Sequence, residues 1–152
     1  MELIVSDTCG PFQASLGGAK HLVTLMDKKT GLLVAVPIKA KSDVGVVIRS
    51  KVPMLERLCG DKAKRIRFDG AKEYITATQR KWYSDAGIDF ESTPPYSSQS
   101  NGVAERANRT IKDRARAALA DAGLGPEMWA GAVVAAVYVM NRSPRAGQDK
   151  TP

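Results

Sequence analysis

The chain has 152 residues, 43% hydrophobic and 26% charged, a balance that excludes a disordered chain and suits one folded domain. No apolar run nears the roughly 18 residues of a membrane span, and the N-terminus lacks the form of a signal peptide. Lys and Arg number 23 against 16 Asp and Glu, so the net charge of +7 favours a polyanionic partner, nucleic acid first. Cys9, Cys59 and His21 cannot supply the four ligands of a structural zinc site, and two cysteines make a poor disulfide framework, which points to a reducing compartment.

Residues 2–6 read as a short strand ending at Asp7, broken by Thr8-Cys9-Gly10-Pro11. Residues 20–27 and 31–38 are two further strands joined at Lys28-Lys29-Thr30, and Pro37 marks an edge. Ser42 or Asp43 caps a helix that runs to Cys59, with Val46, Val47, Met54, Leu55 and Leu58 as its apolar side. Pro53 is expected to kink or split it, and Gly60 closes it. Residues 63–68 form a strand leading to Asp69, Thr76 begins a helix that ends at Gly87, and 88–90 is a brief strand.

Thr93 to Gly102 has loop composition, and from Val103 the chain turns helical. Val103, Ala104, Ala107, Ile111, Ala115, Ala118, Leu119 and Ala122 fill one face. Glu105, Arg109, Lys112 and Arg116 fall within about 60° of one another on a different face. Such a row also arises on a soluble helix through solvation alone. Gly123 caps this helix and Pro126 opens the next, whose residues 127–140 are apolar nearly all round and must be buried or packed across an interface. Three strands, helix, strand, helix, strand and two helices make an α/β domain with a mixed sheet.

Three acids stand out by position: Asp7 and Asp69 at strand ends and Glu105 in the first turn of a helix. Brought together, they could not remain ionised and unpaired, and hard carboxylate oxygens without imidazole or thiolate favour Mg²⁺ or Mn²⁺. Two such ions roughly 3.5–4 Å apart suit displacement at a phosphodiester, with the cations along the helix holding a DNA backbone. Asp27, ending a strand beside the first, is a further candidate neighbour. Glu73, Asp113 and Asp121 read as solvated charges, and Trp82 and Trp129 as packing residues. Asn108-Arg109-Thr110 and Asn141-Arg142-Ser143 match a glycosylation pattern by chance.

Essentially the whole chain resembles the catalytic core of a retroviral-type integrase, of the Ty1/copia retrotransposon type. The resemblance rests on SDTCGPF around Asp7, RFDGAKEY around Asp69, PPYSSQSNGVAERANRT around Glu105, and the tail AAVYVMNRSP. Between Asp69 and Glu105 lie 35 residues (105 − 69 − 1), the D,D(35)E interval of that family. The resemblance implies an RNase H-like fold with a five-stranded mixed sheet flanked by helices. It implies that Asp7 bridges two Mg²⁺ (or Mn²⁺) ions, that Asp69 binds one and that Glu105 binds the other. The implied reactions are hydrolytic trimming of the element's DNA ends and strand transfer into target DNA, in which a 3′-hydroxyl attacks in line and no protein nucleophile is needed. Tyr96, Gln99 and Asn101 occupy the positions of the family's DNA-end loop, and Arg109 and Lys112 those of its basic face, which Arg116 extends.

Gly70-Ala71-Lys72 stands where many relatives have Asn-Gly-Gly, and Asp27-Lys28-Lys29-Thr30 replaces the family's Asp-Asp-Phe-Ser. The chain reads as one domain cut from a longer polyprotein, without the family's zinc-binding N-terminal module or C-terminal DNA-binding region, so the isolated core is expected to show only partial activity. The expected partners are element and target DNA and a second copy of the chain, with no membrane and no small-molecule substrate. Family resemblance implies work in the nucleus after a virus-like particle stage, with no import signal in these residues. Two rival readings stand: another RNase H-like nuclease, and a non-catalytic DNA-binding or assembly remnant of a decayed element.

Overall fold

The computed structural model describes the backbone of residues 1–69, 72–93, 98–144 and 149–152, with the side chains of all of these except 69, 93 and 98–101. β1 (Ile4–Cys9) is the middle strand of a five-stranded sheet. It pairs antiparallel with β2 (His21–Asp27), and β2 pairs antiparallel with the edge strand β3 (Leu33–Ile38). On its other side β4 (Arg65–Asp69) runs parallel to it, followed by β5 (Asp89–Thr93), also parallel. Parallel neighbours need crossovers, which α1 (Val44–Cys59) and α2 (Ala77–Ala86) provide. α3 (Ser98–Asp121) and α4 (Trp129–Met140) follow. The mixed five-stranded sheet flanked by helices is the architecture expected from the sequence.

Strand alternation divides the interior in two. Ile4, Val23, Leu25, Val34, Ile66 and Phe68 pack with α1 and α2 side chains in one cluster. Leu22, Met26 and Leu33 pack with Ile111, Ala115, Val133 and Val137 from α3 and α4 in the other, with Cys9 at its border. Asn141, just past α4, locks the second layer down. Its Nδ2 donates to the Leu33 carbonyl at 2.7 Å, and its Oδ1 accepts from the Leu33 N–H at 2.9 Å.

Local capping follows the sequence. Thr76 accepts a hydrogen bond from the Gln79 N–H, and Gly60, Gly87 and Gly123 all hold left-handed conformations that favour glycine. Other expectations need correction. β1 does not stop at Asp7; its ladder with β2 runs on through Thr8 and Cys9, so Asp7 lies within the strand. α1 is one continuous helix through Pro53. An interior proline costs a helix about 3 kcal/mol, but each fully buried Val, Ile or Leu returns about 1.5–3, and Val44, Ile48, Val52 and Leu55 bury along one side on both sides of it. Val46 is on the opposite face and exposed; Leu58 is exposed in the last turn, where Cys59 packs instead. α3 starts at Ser98, inside the expected loop, and its end is less buried than its pattern suggests, with Ala118 and Ala122 exposed. β5 extends to Thr93.

Asn141→Ala removes both bonds to Leu33 and is expected to destabilise the domain by about 1–3 kcal/mol in urea denaturation. An unchanged midpoint would mean that α4 is held by its apolar contacts alone.

Candidate active site

Asp7 stands half-buried opposite Thr24, in the alternating series that includes Cys9 and faces α3. A carboxylate there needs donors, and it has two. Oδ1 accepts from the Thr8 N–H at 2.9 Å, and Oδ2 accepts from Asn108 Nδ2 at 2.5 Å. Asn108 is 2% exposed in the seam of α3 made by Ala104, Ile111 and Ala115, and its own buried Oδ1 has no hydrogen-bond partner among the described residues. Glu105 is exposed on the same helix, one turn before Asn108 and about 60° around the axis from it.

Asp69 ends β4, its main chain paired with Thr93 of β5. β1 and β4 are in register at Ile4–Ile66 and Val5–Arg67, so residues 7 and 69 each lie two positions further along adjacent parallel strands. The Asp69 side chain, and residues 70 and 71 with the Gly70 departure, lie outside the described residues. Among the described residues no three His, Cys, Asp or Glu side chains form a metal-holding group.

Tyr74 fixes the opposite face of β1. Fully buried in the 3-10 turn Lys72–Tyr74, it shares hydrogen bonds through its hydroxyl with Ser6 Oγ at 3.1 Å and Thr8 Oγ1 at 2.7 Å, the residues flanking Asp7. Its ring stacks on Phe68, beside Asp69, with centroids 4.6 Å apart. One tyrosine therefore couples the β1 segment around Asp7 to the chain on both sides of Asp69.

Arg109 and Arg116 are exposed and Lys112 half-buried. Arg116 lies 3.7 Å from Asp113, both exposed, a kind of surface pair that contributes little. Burial pushes the Cys9 thiol up to about 11; the Asp7 charge adds to the rise and Lys112 opposes it. Tyr96 lies outside the described residues; Gln99 and Asn101 have helical backbones in α3, and their side chains are not among those described.

Asp27 is not part of this group. It pairs with Ile4 at the far end of β1 and caps its own hairpin, its Oδ2 accepting from the Thr30 N–H and Oγ1. Glu73 is shielded rather than solvated, its side chain 17% exposed with Lys41 Nζ at 3.8 Å, while Asp113 and Asp121 are exposed as expected. Trp82 and Trp129 pack against the two core clusters, as expected. Neither glycosylation-like asparagine is available, since Asn108 is buried and Asn141 is bonded at both ends. The sequence reading gave no role to Asn108 or Tyr74. Both lie inside its quoted motifs, but their value depends on long-range contacts with β1.

No protein-family model matches the chain. It is 40% identical over 145 residues to the Retrovirus-related Pol polyprotein from transposon TNT 1-94 of Nicotiana tabacum, a match covering 95% of this chain and 11% of that protein. Similar Pol polyproteins from transposons RE1 and RE2 of Arabidopsis thaliana are each 26% identical over 144 residues, 95% of this chain and 10% of theirs. The chain thus spans about a tenth of the length of the curated relatives it matches. Among solved structures it is similar to the HTLV-2 integrase catalytic core domain in complex with magnesium, in a trimeric form, with a TM-score of 0.73, 16% identity, and coverage of 99% of this chain and 92% of that one. It is also similar to a chain of the simian T-cell lymphotropic virus intasome in complex with PP2A regulatory subunit B56 gamma, with a TM-score of 0.77, 18% identity, and coverage of 97% of this chain and 51% of that one. The fold is therefore the RNase H-like one of integrase catalytic cores.

Asn108→Asp keeps the side chain's shape but turns an oxygen toward Asp7 Oδ2 in place of the N–H donor. We expect a loss of roughly 3–5 kcal/mol at neutral pH, as for other buried charges left uncompensated. Wild-type stability in urea would show that the Asp7–Asn108 contact does not hold α3 to the sheet.

Proposed function

We propose, on the premise that the chain is a homologue of Ty1/copia-type retrotransposon Pol polyproteins with the fold of a retroviral integrase catalytic core, that it is a metal-dependent polynucleotidyl transferase acting in DNA integration. The observation that carries this reading is the single helix that both anchors Asp7, through Asn108, and presents Glu105 one turn away, while the parallel neighbour of the Asp7 strand ends at Asp69.

The residues proposed as ligands suit a hard divalent cation. Asp7, Asp69 and Glu105 offer carboxylate oxygens, and beside Asp7 a buried amide oxygen, Asn108 Oδ1, has no hydrogen-bond partner among the described residues. Asp7, Asp69 and Glu105 would hold two Mg²⁺ or Mn²⁺ ions, Asp7 contributing to both, Asp69 to one and Glu105 to the other. When bound, such ions activate the attacking oxygen and stabilise the leaving one. The chain's own residues set the geometry: Asn108 limits the rotation of the Asp7 carboxylate, and Tyr74 keeps the ends of β1 and β4 together. Arg109, Lys112 and Arg116 take DNA phosphates, each at a cost in salt sensitivity. Tyr96, Gln99 and Asn101 contact the DNA end.

The substrate is element DNA, trimmed at its 3′ ends; the new 3′-hydroxyl then attacks a target phosphodiester in line. Parts of the Pol polyprotein beyond this core complete that reaction in the nucleus, and the core by itself supports reversal of a strand-transfer junction. α4 keeps Val134, Tyr138 and Val139 at least half exposed, an apolar surface suited to a second copy of the chain.

The deciding assay is cleavage and rejoining of a labelled branched DNA with Mn²⁺ or Mg²⁺, with Glu105→Gln alongside. Glu105 is exposed, so the variant should fold with an unchanged melting temperature and lose the activity. Silence from a folded, DNA-binding parent would favour the decayed-remnant reading. For self-association, sedimentation should show a dimer that Val134→Lys converts to monomer; a monomeric parent at high concentration would exclude pairing through α4.

A further inference from the structure

Beyond the acidic centre, a cavity of about 220 Å³ opens between α3, α4 and the segment after β1. Buried Leu22, Ala115 and Val133 line it with the rings of Phe12 and Trp129, and half-buried Lys112 and exposed Arg116 line it as well. The two rings meet edge to face with centroids 5.1 Å apart. The Trp129 indole N–H donates to the Gln13 carbonyl at 2.8 Å, which holds the ring in place. The turn that brings Phe12 here depends on Gly10, which has a φ of +123° and where a Cβ would lie 2.7 Å from the Lys20 carbonyl oxygen. Lys112 and Arg116 lie one and two turns past Asn108, roughly 6 and 12 Å along the helix axis.

We propose that this cavity receives a single unstacked nucleobase of the DNA whose backbone Lys112 and Arg116 hold, a proposal that rests on the DNA-transferase reading above. The volume suits one planar ring system rather than a drug-sized ligand. The paired aromatic rings and apolar lining match a base face, which any base can present. The two cations match the phosphate attached to it, and the ion pair of Arg116 with Asp113, 3.7 Å apart and both exposed, is weak enough to yield to it. Aromatic platforms bordered by cations are how proteins hold single-stranded nucleic acid without reading its sequence. A frayed strand leaving the acidic centre along α3 meets this cavity within two helical turns.

The test uses the whole chain and a short duplex with a single-stranded extension carrying 5-iodouracil, irradiated at long wavelength and mapped by mass spectrometry. Crosslinks are expected on Phe12 or Trp129, and a fully paired duplex should not give them. Ala115→Leu fills the cavity from α3 and Val133→Phe fills it from α4; each folded variant should bind the fully paired duplex as the parent does but hold the extended one about tenfold more weakly, with the crosslink gone. Crosslinks confined to other residues, or equal yields in both filled variants, overturn the proposal while leaving DNA binding intact. Failure of the parent to bind either DNA overturns the transferase reading along with it.

Discussion

A carboxylate in the central strand of a sheet is tolerated only where something donates to it, and in this domain the donors are the Thr8 N–H and a buried amide on α3. The Asn108–Asp7 contact sets where α3 rests on the sheet. Ala104, Asn108, Ile111 and Ala115 form one buried seam at the spacing of a helix face, with its polar member meeting the Asp7 carboxylate. Sliding the helix by a turn would set an apolar residue against Asp7 and bury Asn108 against hydrocarbon, so polar and apolar matching select the same register. Glu105, Arg109 and Lys112 take their positions from that choice.

β1 is held on its other face by different chemistry. Ser6 and Thr8 share the Tyr74 hydroxyl, and the Tyr74 ring rests on Phe68. Because side chains alternate along a strand, three consecutive residues serve two layers: Asp7 faces the helix that carries Glu105, and its neighbours face the segment that follows Asp69. Opposing anchors of this kind limit both the twist and the slip of the strand end, a condition for holding groups to within a fraction of an ångström.

The sequence made the local features legible. The glycines at 60, 87 and 123 and the capping Thr76 depend on neighbours a few residues away, and the β2–β3 hairpin depends on its own turn. Composition misled where tertiary contacts decide. Ser98 to Gly102 has the residues of a loop yet is helical in backbone. Pro53 should break α1, but the burial of Val52 and Leu55 against the sheet outweighs it. Asp27 resembles Asp7 as an acid on a strand, yet its carboxylate is spent on Thr30. Of the site, the spacing of the three acids was readable because it is a property of the chain. The roles of Asn108 and Tyr74 were not, because an asparagine in a helix and a tyrosine in a turn acquire meaning only from contacts 101 and 66–68 residues away.

The unpartnered Asn108 oxygen follows from the same arrangement. A buried carbonyl without a hydrogen bond costs about 1–3 kcal/mol, a sizeable part of the 5–15 kcal/mol that holds a typical domain together. An apolar residue at 108 would remove that cost but leave the half-buried Asp7 carboxylate with the Thr8 N–H and no amide donor from α3, which is more expensive, since breaking a buried charge's contact costs roughly 3–5 kcal/mol. Asparagine is thus the cheaper of two unfavourable choices, and the oxygen it leaves over stands beside Asp7, where an oxygen ligand or a water bound to a cation could relieve it. The apolar seam on either side of Asn108 carries the burden of keeping α3 in place.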